Sequence, residues 1–141
     1  MPVSDNREIE DILLSVKTIA LLGASPKLER PSNSVMRFLL LKDYHVIPVN
    51  PGQAGKEIHG QRVVASLADI DTPIDMVDVF RSSEHLPTIV KEMLALKIKP
   101  KVLWTQLGVI HQEAAETAER AGIRVVMNRC PAIEFPRLNL G

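Results

Sequence analysis

Apolar residues along this chain alternate between two rhythms. Ile9, Ile12, Leu13 and Val16 recur at helical spacing behind Asp5 and Glu8, which together resemble a capping box, and predict a short amphipathic helix over residues 5–16. The next run, TIALL at 18–22, is almost continuously apolar and rich in β-branched residues, as expected of a central parallel strand covered on both faces. Gly23 ends it. Three further runs of the same kind follow at 44–50 (YHVIPVN), 74–80 (IDMVDVF) and 101–106 (KVLWTQ), and a fifth at 123–127 (IRVVM).

Helical patterns fill the gaps. Val35, Phe38 and Leu39 mark a core-facing stripe in a helix opened by Pro31, with Ser32 as its expected cap and an end near Lys42 or Asp43. Ser82 or Ser83 is expected to cap a second helix reaching Leu96, and a third spans 111–121 with Gly122 as its C-terminal cap. Residues 63–69 are expected to supply an extended piece and one short helical turn. Residues 128–141, with Pro131 and Pro136, read as a tail over the surface. Strands alternating with helices predict an α/β fold, a Rossmann-like doubly wound parallel sheet of about five strands with helices on both faces. The expected strand order is 3-2-1-4-5.

At 141 residues one domain, 1–141, is the simplest organisation. Its 17 basic residues balance 17 acidic ones, so no global charge points to nucleic acid or an anionic membrane, and any anion must be held locally. One cysteine, Cys130, excludes an internal disulfide and fits a reducing compartment. The acidic, polar N-terminus does not resemble a signal peptide, and no apolar run approaches about 18 residues, so the expected location is cytoplasmic.

In a doubly wound sheet, ligands bind outside the strand carboxyl ends, beside the first strand. The loop over 23–30 therefore carries the candidate chemistry. Gly23 and Ala24 have little or no side chain, Ser25 and Ser32 offer hydroxyls, Lys27 and Arg30 are cations, and a helix N-terminus follows, which together suit a phosphate. Pro26 and Pro31 delay that helix, because proline disfavours the helical conformation in the residue before it. The second and third glycines of a GxGxxG motif are absent, and Asn50 stands where a dinucleotide fold would place an acid. NAD is thereby disfavoured. Lys27, Arg30 and Arg81 suit a ligand with an extra ribose phosphate, either coenzyme A or NADP, although Arg81 could instead pair with Glu84. Gln106 and Gly108 mark either a close backbone approach to a ligand or a tight turn. Trp104 reads as a core residue.

Cys130 would need a neighbouring base or cation to act as a nucleophile, and none of the four histidines can be assigned to it from spacing. Asp69, Asp71, Asp75 and Asp78 show no paired-carboxylate arrangement, and no metal-ligand spacing occurs. The expectation is a binding role without catalysis; the alternatives are an NADP-type oxidoreductase or a Cys130-dependent acyl transferase.

The blocks TIALLGASPKLERPSNSVMRFLLLKDYHVIPVNP, DMVDVFR, LWTQLGV and VVMNRCPAIEFPRL, in this order, resemble the small stand-alone CoA-binding proteins related to the N-terminal domain of the succinyl-CoA synthetase alpha subunit. The resemblance implies a Rossmann-like fold that binds coenzyme A or an acyl-CoA. It implies that Gly23, Ala24, Ser25 and Lys27 line the phosphate loop and that Arg30, Ser32 and Asn33 complete it. Val49, Asn50 and Pro51 would border the adenosine, Phe80 and Arg81 would flank the nucleotide, and Gln106, Gly108 and Cys130 would lie toward the pantetheine arm. The synthetase's phosphorylatable histidine belongs to a further domain for which this chain has no room. A protein partner or a homo-oligomer fits such a lone binding domain.

Overall fold

The run TIALL becomes β1 (Thr18–Leu22), the strand from which a five-stranded parallel sheet is built outward in both directions. The computed structural model describes residues 1–141. Around β1 stand α1 (Asn6–Ser15), α2 (Pro31–Leu41), β2 (His45–Val49), a hairpin of β3 (Glu57–Ile58) and β4 (Gln61–Arg62), β5 (Met76–Val79), α3 (Leu86–Ala95), β6 (Val102–Thr105), α4 (Gln112–Arg120), β7 (Arg124–Val126) and α5 (Pro131–Arg137). None of the helices is long and apolar enough to cross a membrane.

Strand alternation divides the core into two layers. Ile19, Leu21, Met76, Val102, Trp104 and Val126 point to the side covered by α1, α2 and α5, while Ala20, Leu22, Val77, Val79, Leu103 and Val125 meet α3 and α4 on the other side. Both faces of every central strand are buried, which explains the unbroken apolar runs. Truncating one of these fully buried side chains, such as Leu21, would cost about 2–5 kcal/mol.

The sheet order is β2-β1-β5-β6-β7, or 2-1-3-4-5 among the five main strands, and not the expected 3-2-1-4-5. Pro48 supplies the reason. It pairs in register with Leu21, and its carbonyl points away from β1, where it accepts from Val64 N–H at 3.0 Å. The N–H that proline lacks would have pointed the same way. The outer side of β2 therefore cannot carry a full neighbouring strand and receives only the single bridge from Val49 to Val64. The third main strand, β5, crosses over and pairs with the free side of β1. The switch point stays beside β1.

Two local expectations are also corrected. Ser32 is not the cap of α2: Pro31 occupies the first helical position and forces the preceding Arg30 into extended backbone, so Arg30 is the cap residue and Ser32 lies in the first turn. The C-terminal stretch is not simply a surface tail, because Pro131 opens α5 and Phe135 packs edge-on against Phe38 and Tyr44, at 5.3 and 6.3 Å between ring centroids. Buried Glu134 is satisfied there by Arg129 and Arg137 at 3.2 and 2.6 Å. The extended piece and helical turn expected over 63–69 are present as the Val64 bridge and a 3-10 turn at Leu67–Asp69.

Candidate functional site

The chain leaves β1 through Gly23, whose φ of 86° is one that side-chain-bearing residues rarely adopt. A Cβ at Gly23 would also sit 3.2 Å from the carbonyl carbon of Phe80 and 3.2 Å from Arg81 Cδ, so the absence of a side chain lets the ends of β1 and β5 close on each other. The N–H groups of Gly23 and Ala24 both donate to Val49 O, at 3.0 and 3.4 Å, tying the loop to the end of β2.

Two asparagines then take up the loop's carbonyl oxygens. Asn50 Nδ2 donates to Ala24 O at 2.8 Å and Asn33 Nδ2 to Ser25 O at 2.9 Å. Lys27 N–H is absorbed by Ser25 Oγ at 3.2 Å. The backbone N–H groups of Ser25 and Ser32 have no acceptor within the protein. Two free donors, with acceptor oxygens drawn off into the scaffold, make a cradle for an anion at the positive end of α2.

That cradle opens into a cavity of about 460 Å³. Gly23, Ala24, Ser25, Lys27, Arg30 and Ser32 line it from the loop and helix, and Asn50, Phe80, Arg81 and Gln106 from the ends of β2, β5 and β6. Pro31, Ser82, Leu107 and Val109 complete the wall. No carboxylate faces it. Lys27, Arg30 and Arg81 form no ion pair, and Glu84, the alternative partner for Arg81, stands instead 4.0 Å from His85. Three uncompensated cations around free N–H donors make a site that attracts a multiply charged anion. The carboxamide oxygen of Gln106 is buried and also lacks a partner.

The remaining candidates lie outside the lining. Asn33 and Val49 are buried beneath the loop, where they brace it. Pro51 opens the exposed 3-10 turn Pro51–Gln53. Gly108, with φ 83°, forms a tight turn whose N–H is taken by Asn128 Oδ1 at 2.7 Å and whose carbonyl accepts from Ser83 Oγ at 3.3 Å. Cys130 caps α5 and is buried in the core layer of Trp104, Val126 and Phe135. No cluster of three or more His, Cys, Asp or Glu side chains is arranged to hold a metal ion.

Two features have only a faint trace in the sequence. Val109 reaches the wall because buried Thr105 donates its hydroxyl to Val109 O at 2.6 Å, curling the loop after β6 inward. Asp78, the one acid within β5, stands in register with Leu21 and Trp104, wholly buried, with neither carboxyl oxygen hydrogen-bonded. Burial pushes its pKa well above the ordinary carboxyl value.

Comparison with known proteins places this geometry among relatives. A family model described as CoA binding domain matches residues 17–136. The Bacillus subtilis (strain 168) protein named Uncharacterized protein YneT is 39% identical over 123 residues, covering 87% of this chain and 88% of its own length. Among solved structures, cell-free ID.343 from Thermus thermophilus is similar with a TM-score of 0.89 and 41% identity, over 96% of this chain and 99% of that one. A hypothetical protein from Pyrococcus horikoshii OT3 is similar with a TM-score of 0.91 and 38% identity, over 100% and 97% of the two chains.

Proposed function

The chain belongs to the CoA binding domain family, and on that premise we propose that it holds coenzyme A, free or acylated, in the cavity at the carboxyl end of β1. The observation that carries this reading is the pairing of free Ser25 and Ser32 N–H donors with three unpaired cations and no acid on the cavity wall. A pyrophosphate would lie between the Ser25 N–H of the loop and the Ser32 N–H in the first turn of α2, where the helix dipole adds to them. Lys27, Arg30 and Arg81 surround that position and would compensate the further phosphate on the ribose. The pantetheine arm would leave past Gln106 and the apolar Leu107 and Val109.

Asn50 favours coenzyme A over a nicotinamide dinucleotide. Its amide is committed to Ala24 O and its oxygen to Gly52 N–H at 2.9 Å, so it braces the loop where a dinucleotide fold uses an acid to bind ribose hydroxyls. The role supported here is binding or delivery without a reaction of the chain's own, since Cys130, the residue of the transferase alternative, is packed in the core away from the cavity wall.

Calorimetric titration with CoA, acetyl-CoA, NAD and NADP tests the proposal. Saturable binding of the two CoA species, with the dinucleotides at least tenfold weaker, is the expected result. Binding of NADP with no response to either CoA species would replace it with the oxidoreductase reading.

A further inference from the structure

The hairpin of β3 and β4 turns through only two residues, His59 and Gly60, both with positive φ, 49° and 78°. That is the backbone of a type I′ turn, whose first central position favours Asn or Gly. A histidine held in the left-handed region is uncommon and costs backbone energy. Its imidazole is not idle. His59 Nε2 lies 2.9 Å from Asn33 Oδ1 and 3.2 Å from Asn33 O, twenty-six residues away in the first turn of α2. A backbone carbonyl only accepts, so Nε2 carries the proton and donates to both oxygens.

The same Asn33 carboxamide donates from Nδ2 to Ser25 O at 2.9 Å. With its oxygen engaged by His59, the amide cannot rotate to present that oxygen to Ser25, because doing so would set two acceptors against each other. The relay runs from an exposed hairpin tip, through a buried asparagine, to the loop residue that supplies a free N–H to the cavity. We propose that His59 is a positioning residue for this loop: acting through Asn33, it holds Ser25 in the conformation that receives the ligand. The functional half of the proposal rests on the reading of the cavity as a coenzyme A site; the positional half does not.

Two variants separate positioning from plain stability. His59→Asn installs the residue this turn prefers but is too short to reach Asn33, whereas His59→Gln brings an amide N–H to about the reach of Nε2 on a residue less suited to the turn. A merely structural role ranks His59→Asn above His59→Gln in every measurement. Positioning predicts opposite rankings: His59→Asn has the higher melting temperature, yet its CoA dissociation constant rises about five- to tenfold, as expected for one lost hydrogen bond, and His59→Gln recovers most of that loss.

Amide hydrogen exchange of the ligand-free protein supplies the reading that needs no ligand. Exchange at Lys27, whose N–H is held by Ser25 Oγ, is expected to speed up in His59→Asn and to return toward the wild-type rate in His59→Gln. Wild-type exchange in His59→Asn overturns the proposal, and faster exchange with unchanged CoA affinity overturns its functional half. If the wild-type protein binds no CoA, the cavity reading fails, and the exchange rates still decide the relay.

Discussion

The side-chain amide of Asn50 donates to the carbonyl oxygen of Ala24 across 2.8 Å, fastening the residue just after β2 to the residue that follows Gly23. The bond turns the Ala24–Ser25 peptide so that its oxygen faces the scaffold and its N–H is left for a ligand. Asn50→Asp replaces the donor with a carboxylate that repels both the Ala24 oxygen and an incoming phosphate. Titration of this variant with CoA should show affinity reduced about tenfold or more, a larger loss than in Asn50→Ala.

On the proposed reading, Lys27, Arg30 and Arg81 would divide the ligand's charge between them. Lys27→Ala, Arg30→Ala and Arg81→Ala should each weaken CoA binding by about five- to fiftyfold, and more steeply at low salt than at high. Repeating the titrations with dephospho-CoA separates their duties. A variant that loses much less with dephospho-CoA than with CoA has lost the contact to the ribose phosphate, and equal losses assign that cation to the pyrophosphate. At least one of the three is expected to fall in the first group.

Gly23→Ala meets two obstacles at once, a φ of 86° and a Cβ pressed to 3.2 Å from the backbone of Phe80. Chemical denaturation should show a loss of roughly 1–3 kcal/mol, with an unchanged slope against denaturant.

Asp78 gives the fold a pH signature. Its pKa is raised in the folded state, so the protonated form is favoured there, and its contribution to stability is complete below the unfolded value near 3.8 and is lost as pH rises from there toward the folded value. Thermal melts of the wild type should therefore include a stability term that declines upward from about pH 4. Asp78→Asn, which cannot ionise, should flatten that decline. An identical pH profile in the two proteins would contradict the assignment.

The β-α alternation was legible because both faces of each strand are covered, so burial writes itself as runs such as TIALL and DMVDVF. The delay of α2 to Pro31 was legible in the two prolines. Pro48 held the strand order as well, since a proline whose missing donor faces outward marks an edge, but an order is a relation between strands that pair at a distance. α5 was masked by Pro131 and Pro136 in a helix of seven residues, too short for a periodic stripe to stand out. At the site, the residues placed directly after β1, β5 and β6 came together at the cavity as position in the sheet dictates. Cys130 did not, because the chain reverses through Asn128, at φ 61°, and carries the thiol into the core. The bracing of the loop by Asn33 and His59 joins elements twenty-six residues apart, and no local pattern records it.

If coenzyme A lies on the free N–H groups of Ser25 and Ser32, the backbone amides report it directly. In a nitrogen-15 labelled sample titrated with CoA, the amide signals of Gly23, Ser25, Ser32 and Arg81 should shift together and saturate at one common dissociation constant. Shifts confined to another part of the surface, such as the pocket between Ile70 and Ile98, with Ser25 and Ser32 unmoved, would contradict it.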